Sequence, residues 1–314
     1  MDNLRRLLDP LLDPTLKRHI NDIDIDSLSR IPAKRIQSKA LPNIGLIELV
    51  SGKSFAEAYN ELYTSNFQDG DRERSDLIVE RLEDEFAGKR GGLAPYRIVG
   101  IRDQAGRAIA GAQFSILFLK DGRHAVPYLQ YIYVRSENRR QDLSELLHTL
   151  ILAVTVADAE YDSLPRKTAM RGVPFTLFET HPAADSATSG QVNAAAERIA
   201  VHAKSGSQAM MIHRESGKLI GAHIQPGLEV GDPPMMVTWA LRANPRFGLS
   251  LQDKSLGHSL VAAYYQSMRD EGFPEDNIAF AETMFENRCG DGGFVLMPLS
   301  EVTRSMCTDV DETV

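Results

Sequence analysis

Apolar and polar positions recur along this chain with two different periods, and the changes between them mark its elements. Ile44 to Val50 (IGLIELV) is a short apolar run bounded by Asn43 and Gly52, which predicts a strand. From Ser54 to Phe86 the spacing turns helical. Phe55, Ala58, Tyr59 and Leu62 share one face, and Leu77, Ile78, Arg81, Leu82 and Glu85 share another after the polar break QDGDRERS. Two strands follow, Tyr96 to Arg102 and Ala108 to Leu119, joined by DQAGR, a hairpin-length connection containing Gly106. Asp121–Gly122 marks another turn before a third strand, Val126 to Val134. Then Leu143, Leu146, Leu147, Leu150, Ile151 and Val154 repeat at three- and four-residue spacing, the buried face of a long helix.

Beyond Pro174 the stretch FTLFET (Phe175 to Thr180) predicts a buried strand, and Gln191 to Lys204 an Ala-rich helix ended by Gly206. Further strands are expected near Ala209–His213, Ala222–Gln225 and Met236–Arg242. Helices are expected over Ser255–Glu271 and Glu275–Asn287, with a short strand at Phe294–Met297. Residues 1–44 carry two amphipathic pieces broken by Pro10, Pro14, Pro32 and Pro42, an extension suited to clasping the main body or a second subunit. The order of elements is that of a mixed α+β protein.

Composition narrows the function. At 314 residues, 43% hydrophobic and 25% charged, the chain has enough apolar material for a sizeable core and is neither collagen-like nor wholly disordered. Lys and Arg number 35 against 43 Asp and Glu, a net charge of −8, and no basic run occurs, so no nucleic-acid partner is expected; a local basic pocket remains compatible. The longest apolar run, Leu150 to Ala157, is far short of the roughly 20 residues that span a bilayer, so no membrane is expected. Asp9, Pro10, Asp13 and Pro14 interrupt the N-terminus where a signal peptide needs an apolar core, and Cys289 and Cys307 form no disulfide framework, which together imply a cytoplasmic protein. His181, His202, His213 and His223 are scattered over separate elements without ligand spacing, so no metal is expected. Cys289-Gly290-Asp291-Gly292-Gly293 lacks the Lys-Ser/Thr of a phosphate loop and is expected to be a turn.

The most informative stretch is Tyr131 to Ile151 (YIYVRSENRRQDLSELLHTLI). A strand runs through a polar turn into a long helix, so backbone N–H groups and the helix dipole converge on one point, flanked by Arg139 and Arg140. These residues resemble the GNAT acyltransferase superfamily, whose signature is a hydrophobic strand, a Val-Arg-Pro-Glu-Tyr-Arg-like turn and Gln/Arg-x-x-Gly-x-Gly/Ala at the helix start. The matching residues are Val134-Arg135-Ser136-Glu137-Asn138-Arg139, then Arg139-Arg140-Gln141-Asp142-Leu143-Ser144. His223 to Leu228 (HIQPGL) is similar to a Tyr-x-Gln-Pro-x-Leu segment of one branch of that superfamily, and Glu197 to Ser207 to its helix-to-Gly segment.

The resemblance implies a mixed, mostly antiparallel sheet flanked by helices over 45–245, with an N-terminal extension (1–44) and a C-terminal helical segment (246–314) that covers the cleft or builds a homodimer. It implies acetyl-CoA or another acyl-CoA as co-substrate. Amides of Arg139, Arg140, Gln141, Asp142, Leu143 and Ser144 would hold its diphosphate, and the strand around Ile132 and Val134 would hold its pantetheine arm and supply the oxyanion donor. The implied acceptor is a small-molecule amine, attacked directly in a ternary complex. Two departures stand out. Asp142 replaces the central Gly and, with Glu145, reads as a capping box whose carboxylate competes for the phosphate donors. His202 stands in place of the Tyr that commonly protonates the leaving thiolate.

Residue chemistry offers three catalytic candidates. Glu179, late in FTLFET, is the best-placed carboxylate for a general base; an ordinary ion pair is the plain alternative. His202 titrates in a useful range, against a plain helix-face histidine. Tyr133 shares a face with Tyr131 and either lines the acceptor cleft or packs in the core. Two other readings stay open: a non-catalytic ligand-binding or scaffold protein of the same fold, and an acyltransferase fed by an acyl-carrier protein.

Overall fold

Strand pairing follows the alternation of the sequence in both halves of the chain. The computed structural model describes residues 3–67, 72–166, 169–180, 199–235, 237–247 and 254–307, with the side chains of 164–166 and 254 left aside. Two compact units divide the chain, one drawn from 1–118, 123–173 and 244–246, the other from 119–122, 174–243 and 247–314. The class is α+β, with antiparallel strands flanked by helices.

In the first unit, β1 (Leu46–Leu49), β2 (Tyr96–Arg102), β3 (Ala108–Phe118) and β4 (Ala125–Val134) pair antiparallel in that order. The 103–107 turn closes β2 onto β3 through Asp103 N–H to Arg107 O at 2.9 Å, with Gly106 at φ +82°. Nearly every residue of β3 is buried, because strands cover both its edges and helices its face. The N-terminal helices α1 (Leu4–Leu8), α2 (Pro14–His19) and α3 (Ala33–Lys39) bury Leu4, Leu8, Leu16 and Ile36. Asp13 ties them to the sheet. It caps α2 and also accepts Leu49 N–H at 3.1 Å, while Leu12 bridges Ile47. The extension thus clasps β1.

Between β1 and β2 the chain is helical, but not uniformly. α4 (Gly52–Ser54) passes through a π-helical turn, Phe55–Tyr59, into α5 (Asn60–Asn66), and α6 (Ser75–Phe86) follows. The extra residue of the π-turn carries Tyr59 into the core, where its hydroxyl donates to Glu48 at 2.8 Å and its ring lies against Gly100. The helix α7 (Leu143–Arg166) packs on β3 and β4. A buried ionic chain links four elements of this unit: Arg97 of β2 makes two bonds to Asp158 of α7 (3.1 and 3.0 Å) and one to Glu85 of α6 (2.8 Å), and His19 of α2 lies 3.5 Å from Asp158.

In the second unit, β5 (Phe175–Thr180) pairs with β8 (Thr238–Ala243), and β8 with β6 (Gln208–His213). β7 (Leu219–Gly221) continues along the same edge of β6, and β9 (Gly293–Pro298) runs the whole length of the other. The stretch 199–204 is helical (α8), followed later by α9 (Lys254–Asp270), α10 (Glu275–Cys289) and α11 (Arg304–Cys307). One expectation changes here. The strand expected at Ala222–Gln225 lies instead at Leu219–Gly221, because the turn at Gly217 (φ +81°) returns the chain directly onto His213. The short strand expected at Phe294–Met297 is present as β9, paired along β6. The first part of the Ala-rich helix, 191–198, the histidine at 181, and the break at 68–71 lie outside the described residues. No helix among the described residues is long and apolar enough to cross a membrane.

Two expected outcomes test this packing. Burial opposes ionisation of Asp158, but His19 and Arg97 outweigh it and hold its carboxyl below the usual value. A depressed folded-state pKa contributes stability that is complete above about pH 4 and lost as the pH falls further. Asp158→Asn is therefore expected to cost about 3 kcal/mol at neutral pH and to flatten the acid limb of the unfolding curve, measured by urea titration between pH 7 and 3. A Cβ at Gly100 would lie 2.3 Å from the Tyr59 ring, whose hydroxyl is anchored to Glu48. Gly100→Ala should destabilise by about 1–3 kcal/mol in the same assay.

Candidate functional site

The strand-to-helix junction lies wholly in the first unit. β4 ends at Val134, Arg135 N–H bonds Ile109 O at 2.8 Å, and a single 3-10 turn, Ser136–Asn138, carries the chain to α7. That bond fixes the phase of the ladder. Tyr131, Tyr133 and Arg135 turn their N–H groups to β3, and Ile132 and Val134 turn theirs to the opposite edge. The register skips Gln130, so that Gln113 faces Tyr131 and Phe114 faces Leu129, a bulge in β4.

The loop itself adopts a special backbone. Arg140 (φ +63°) and Asp142 (φ +59°) are the non-glycine residues with left-handed backbones among those described, a conformation that glycine adopts most readily. The side chains of Arg139 and Arg140 are exposed. Asp142 does not form the expected capping box. Its two oxygens accept from Arg35 Nε and Nη2 of α3, at 2.6 and 2.7 Å. The left-handed backbone aims the side chain at α3, and a bidentate guanidinium is the stronger partner. Arg35 holds the Asp142 carboxyl below the usual carboxylate range. The Asp142 carboxylate therefore leaves the first-turn amides of Leu143 and Ser144 alone, and these have no intrahelical acceptor.

The second unit holds a separate cluster around Glu179. Its carboxylate, 19% exposed, meets His223 Nε2 at 2.6 Å and accepts from the Tyr264 hydroxyl at 3.1 Å, both on Oε1. Trp239, directly across from Glu179 in the β5–β8 pair, stacks on the His223 ring at 4.3 Å, and Tyr264 meets that ring edge-on at 4.9 Å. His223 is 1% exposed at its side chain. Burial lowers its pKa, and the Glu179 charge only partly offsets this, so the imidazole is neutral at pH 7. A neutral imidazole facing a carboxylate through Nε2 carries its proton there, and Nε2–H donates.

The other expected groups fall elsewhere. His202 rests its ring on Phe178 at 4.5 Å, and since neighbouring strand residues face opposite ways, it lies on the other side of β5 from the Glu179 side chain. Tyr133 is 2% exposed, packed with Tyr63 and Phe67, and its hydroxyl accepts from Gln113 Nε2 at 3.2 Å. It is core, and burial pushes its hydroxyl's pKa up. The gathering of His223, Trp239 and Tyr264 around Glu179 is not legible in the sequence, because they approach from distant segments. The one local signal was the chain's single tryptophan, on a strand buried along nearly its whole length. No group of His, Cys, Asp and Glu suited to a metal occurs among the described residues.

No protein-family model matches the chain, and no curated protein matches it. It is similar to several solved structures at low identity. One is a protein of Acinetobacter baylyi provisionally named an acetyltransferase, 12% identical with a TM-score of 0.36, the match covering 66% of this chain and 96% of that one. A second, from Klebsiella pneumoniae and provisionally named an acyl-CoA N-acyltransferase, is 15% identical with a TM-score of 0.24 over 54% of this chain and 88% of that one. The third is the glucosamine N-acetyltransferase region of a fungal multi-domain β-N-acetylglucosaminidase, 12% identical with a TM-score of 0.36. That match covers 82% of this chain and 26% of that protein.

Proposed function

We propose that the chain is an acyl-CoA-dependent N-acyltransferase, acetyl-CoA being the default donor and a small-molecule amine the acceptor. The observation that carries this reading is the junction at 135–144. Two left-handed residues wrap the turn, the Asp142 carboxylate is withdrawn onto Arg35, and the helix start keeps its amides for an outside anion beside Arg139 and Arg140. The diphosphate of the cofactor is the anion that this reading assigns to it. Ile132 and Val134, with N–H groups on the edge of β4 away from β3, are the backbone groups assigned to the pantetheine arm and the oxyanion.

For the chemical step, the acceptor ammonium loses one proton to Glu179, and its nitrogen lone pair attacks the thioester carbonyl. The C–S bond then breaks, the second proton passes from nitrogen to the departing thiolate, and amide and free thiol result. Glu179 returns its proton to solvent. No enzyme nucleophile is required. His202 and Tyr133 take no part in this path.

A second reading has an observation of its own. The Arg35–Asp142 pair closes an ion pair at the loop, as suits a protein of this fold that binds an anionic ligand without transferring an acyl group.

Calorimetric titration with acetyl-CoA separates the alternatives at the first step. Micromolar binding that is lost in Arg140→Ala is the expected result. Absence of heat at millimolar acetyl-CoA would overturn the cofactor assignment and direct attention to carrier-protein donors. A gain-of-function variant sharpens the test. Asp142→Gly removes both the left-handed strain and the negative charge, and should bind acetyl-CoA about tenfold more tightly than the parent. Thiol release in a screen of amines then distinguishes transfer from binding, with Glu179→Gln expected to lose most of the rate.

A further inference from the structure

Glu179 accepts from two side-chain donors on one oxygen, an imidazole at 2.6 Å and a phenol at 3.1 Å. The imidazole has little freedom. Trp239 covers it at 4.3 Å with planes 15° apart, and Tyr264 closes its edge at 87°. Trp239 is in turn held by its register opposite Glu179, so the stack and the carboxylate are set by one pair of strands.

We propose that His223 is the positioning residue of Glu179: clamped on Trp239, it donates Nε2–H to Oε1 and, with the Tyr264 hydroxyl, holds the carboxylate in one orientation for the ammonium group of the acceptor. The role given to the ammonium rests on the acyltransferase reading; the hydrogen-bonded unit does not. During proton transfer the nitrogen keeps its electron pair, the proton moves to Glu179, and the His223 N–H remains in place. An imidazolium at this position would neutralise the carboxylate by ion pairing and blunt its basicity, and burial of His223 disfavours that form. Among the described residues, Arg288 of α10 acts on His223, and the Glu179 charge in turn reaches Tyr265 of α9. Arg288 reinforces the neutral imidazole, while Glu282 and Glu179 raise the Tyr265 hydroxyl together with burial.

The test uses the chain's single tryptophan, which is the residue stacked on His223. A protonated imidazole against an indole quenches its emission, so Trp239 fluorescence reports His223 directly. The full chain is titrated from pH 8 to 4 without cofactor, with far-UV circular dichroism confirming that it stays folded. The expected trace is flat through the ordinary histidine range near pH 6.5 and falls only below it. Glu179→Gln, which keeps the shape and removes the charge, should move that midpoint about one pH unit further down. His223→Gln should abolish the step. A midpoint that is the same in the parent and in Glu179→Gln, or a step that survives in His223→Gln, would overturn the proposal. Because no acetyl-CoA is present, the result stands whether or not the protein binds that cofactor.

Discussion

A carboxylate withdrawn from water must be met by donors, and this requirement organises both units. Glu48, Asp158 and Glu179 each sit where burial penalises the charge, and each has drawn partners from other elements. Glu48 binds Tyr59, Ser54 and Arg102, which ties β1 to the π-turn and to β2. Asp158 binds Arg97 and His19, which ties α7 to β2 and the N-terminal clasp. Remove either carboxylate and several elements lose a common anchor. Glu179 binds His223 and Tyr264, which ties β5 to the segment after β7 and to α9.

The junction between β4 and α7 obeys the same rule at the surface. An aspartate at a helix start ordinarily turns onto the first-turn amides and satisfies them. Here a left-handed backbone and an arginine from the N-terminal extension take the carboxylate elsewhere. The extension therefore does more than cover the edge of β1. By binding Asp142 it sets the electrostatics of the loop, replacing a fixed negative charge beside the helix dipole with an ion pair.

Aromatic packing in the first unit accounts for the fate of the tyrosines. Tyr131 and Tyr133 share a face, as period-two alternation requires, but the face is turned to Tyr63 and Phe67. Gln113 spends its amide on two buried hydroxyls, accepting from Tyr96 at 2.9 Å and donating to Tyr133. These bonds hold the Tyr96 and Tyr133 hydroxyls inside the core of the first unit.

The sequence by itself determined the local architecture: the β2–β3 hairpin, β5, the long α7, and the strand-to-helix junction all lie within a few residues of where periodicity and turn chemistry place them. These elements depend on spacings of two, three and four residues, and such information is local. Only the tertiary structure decided which residues gather around Glu179, because His223 and Tyr264 come from 44 and 85 positions away and approach through strand register and helix packing. It also decided that Asp142 meets Arg35, across 107 positions, rather than its own helix. It separated Glu179 from His202 by giving them opposite sides of one strand. A single sequence records which side chains are able to pair; the register of β5 on β8 and the docking of α3 and α9 choose among them.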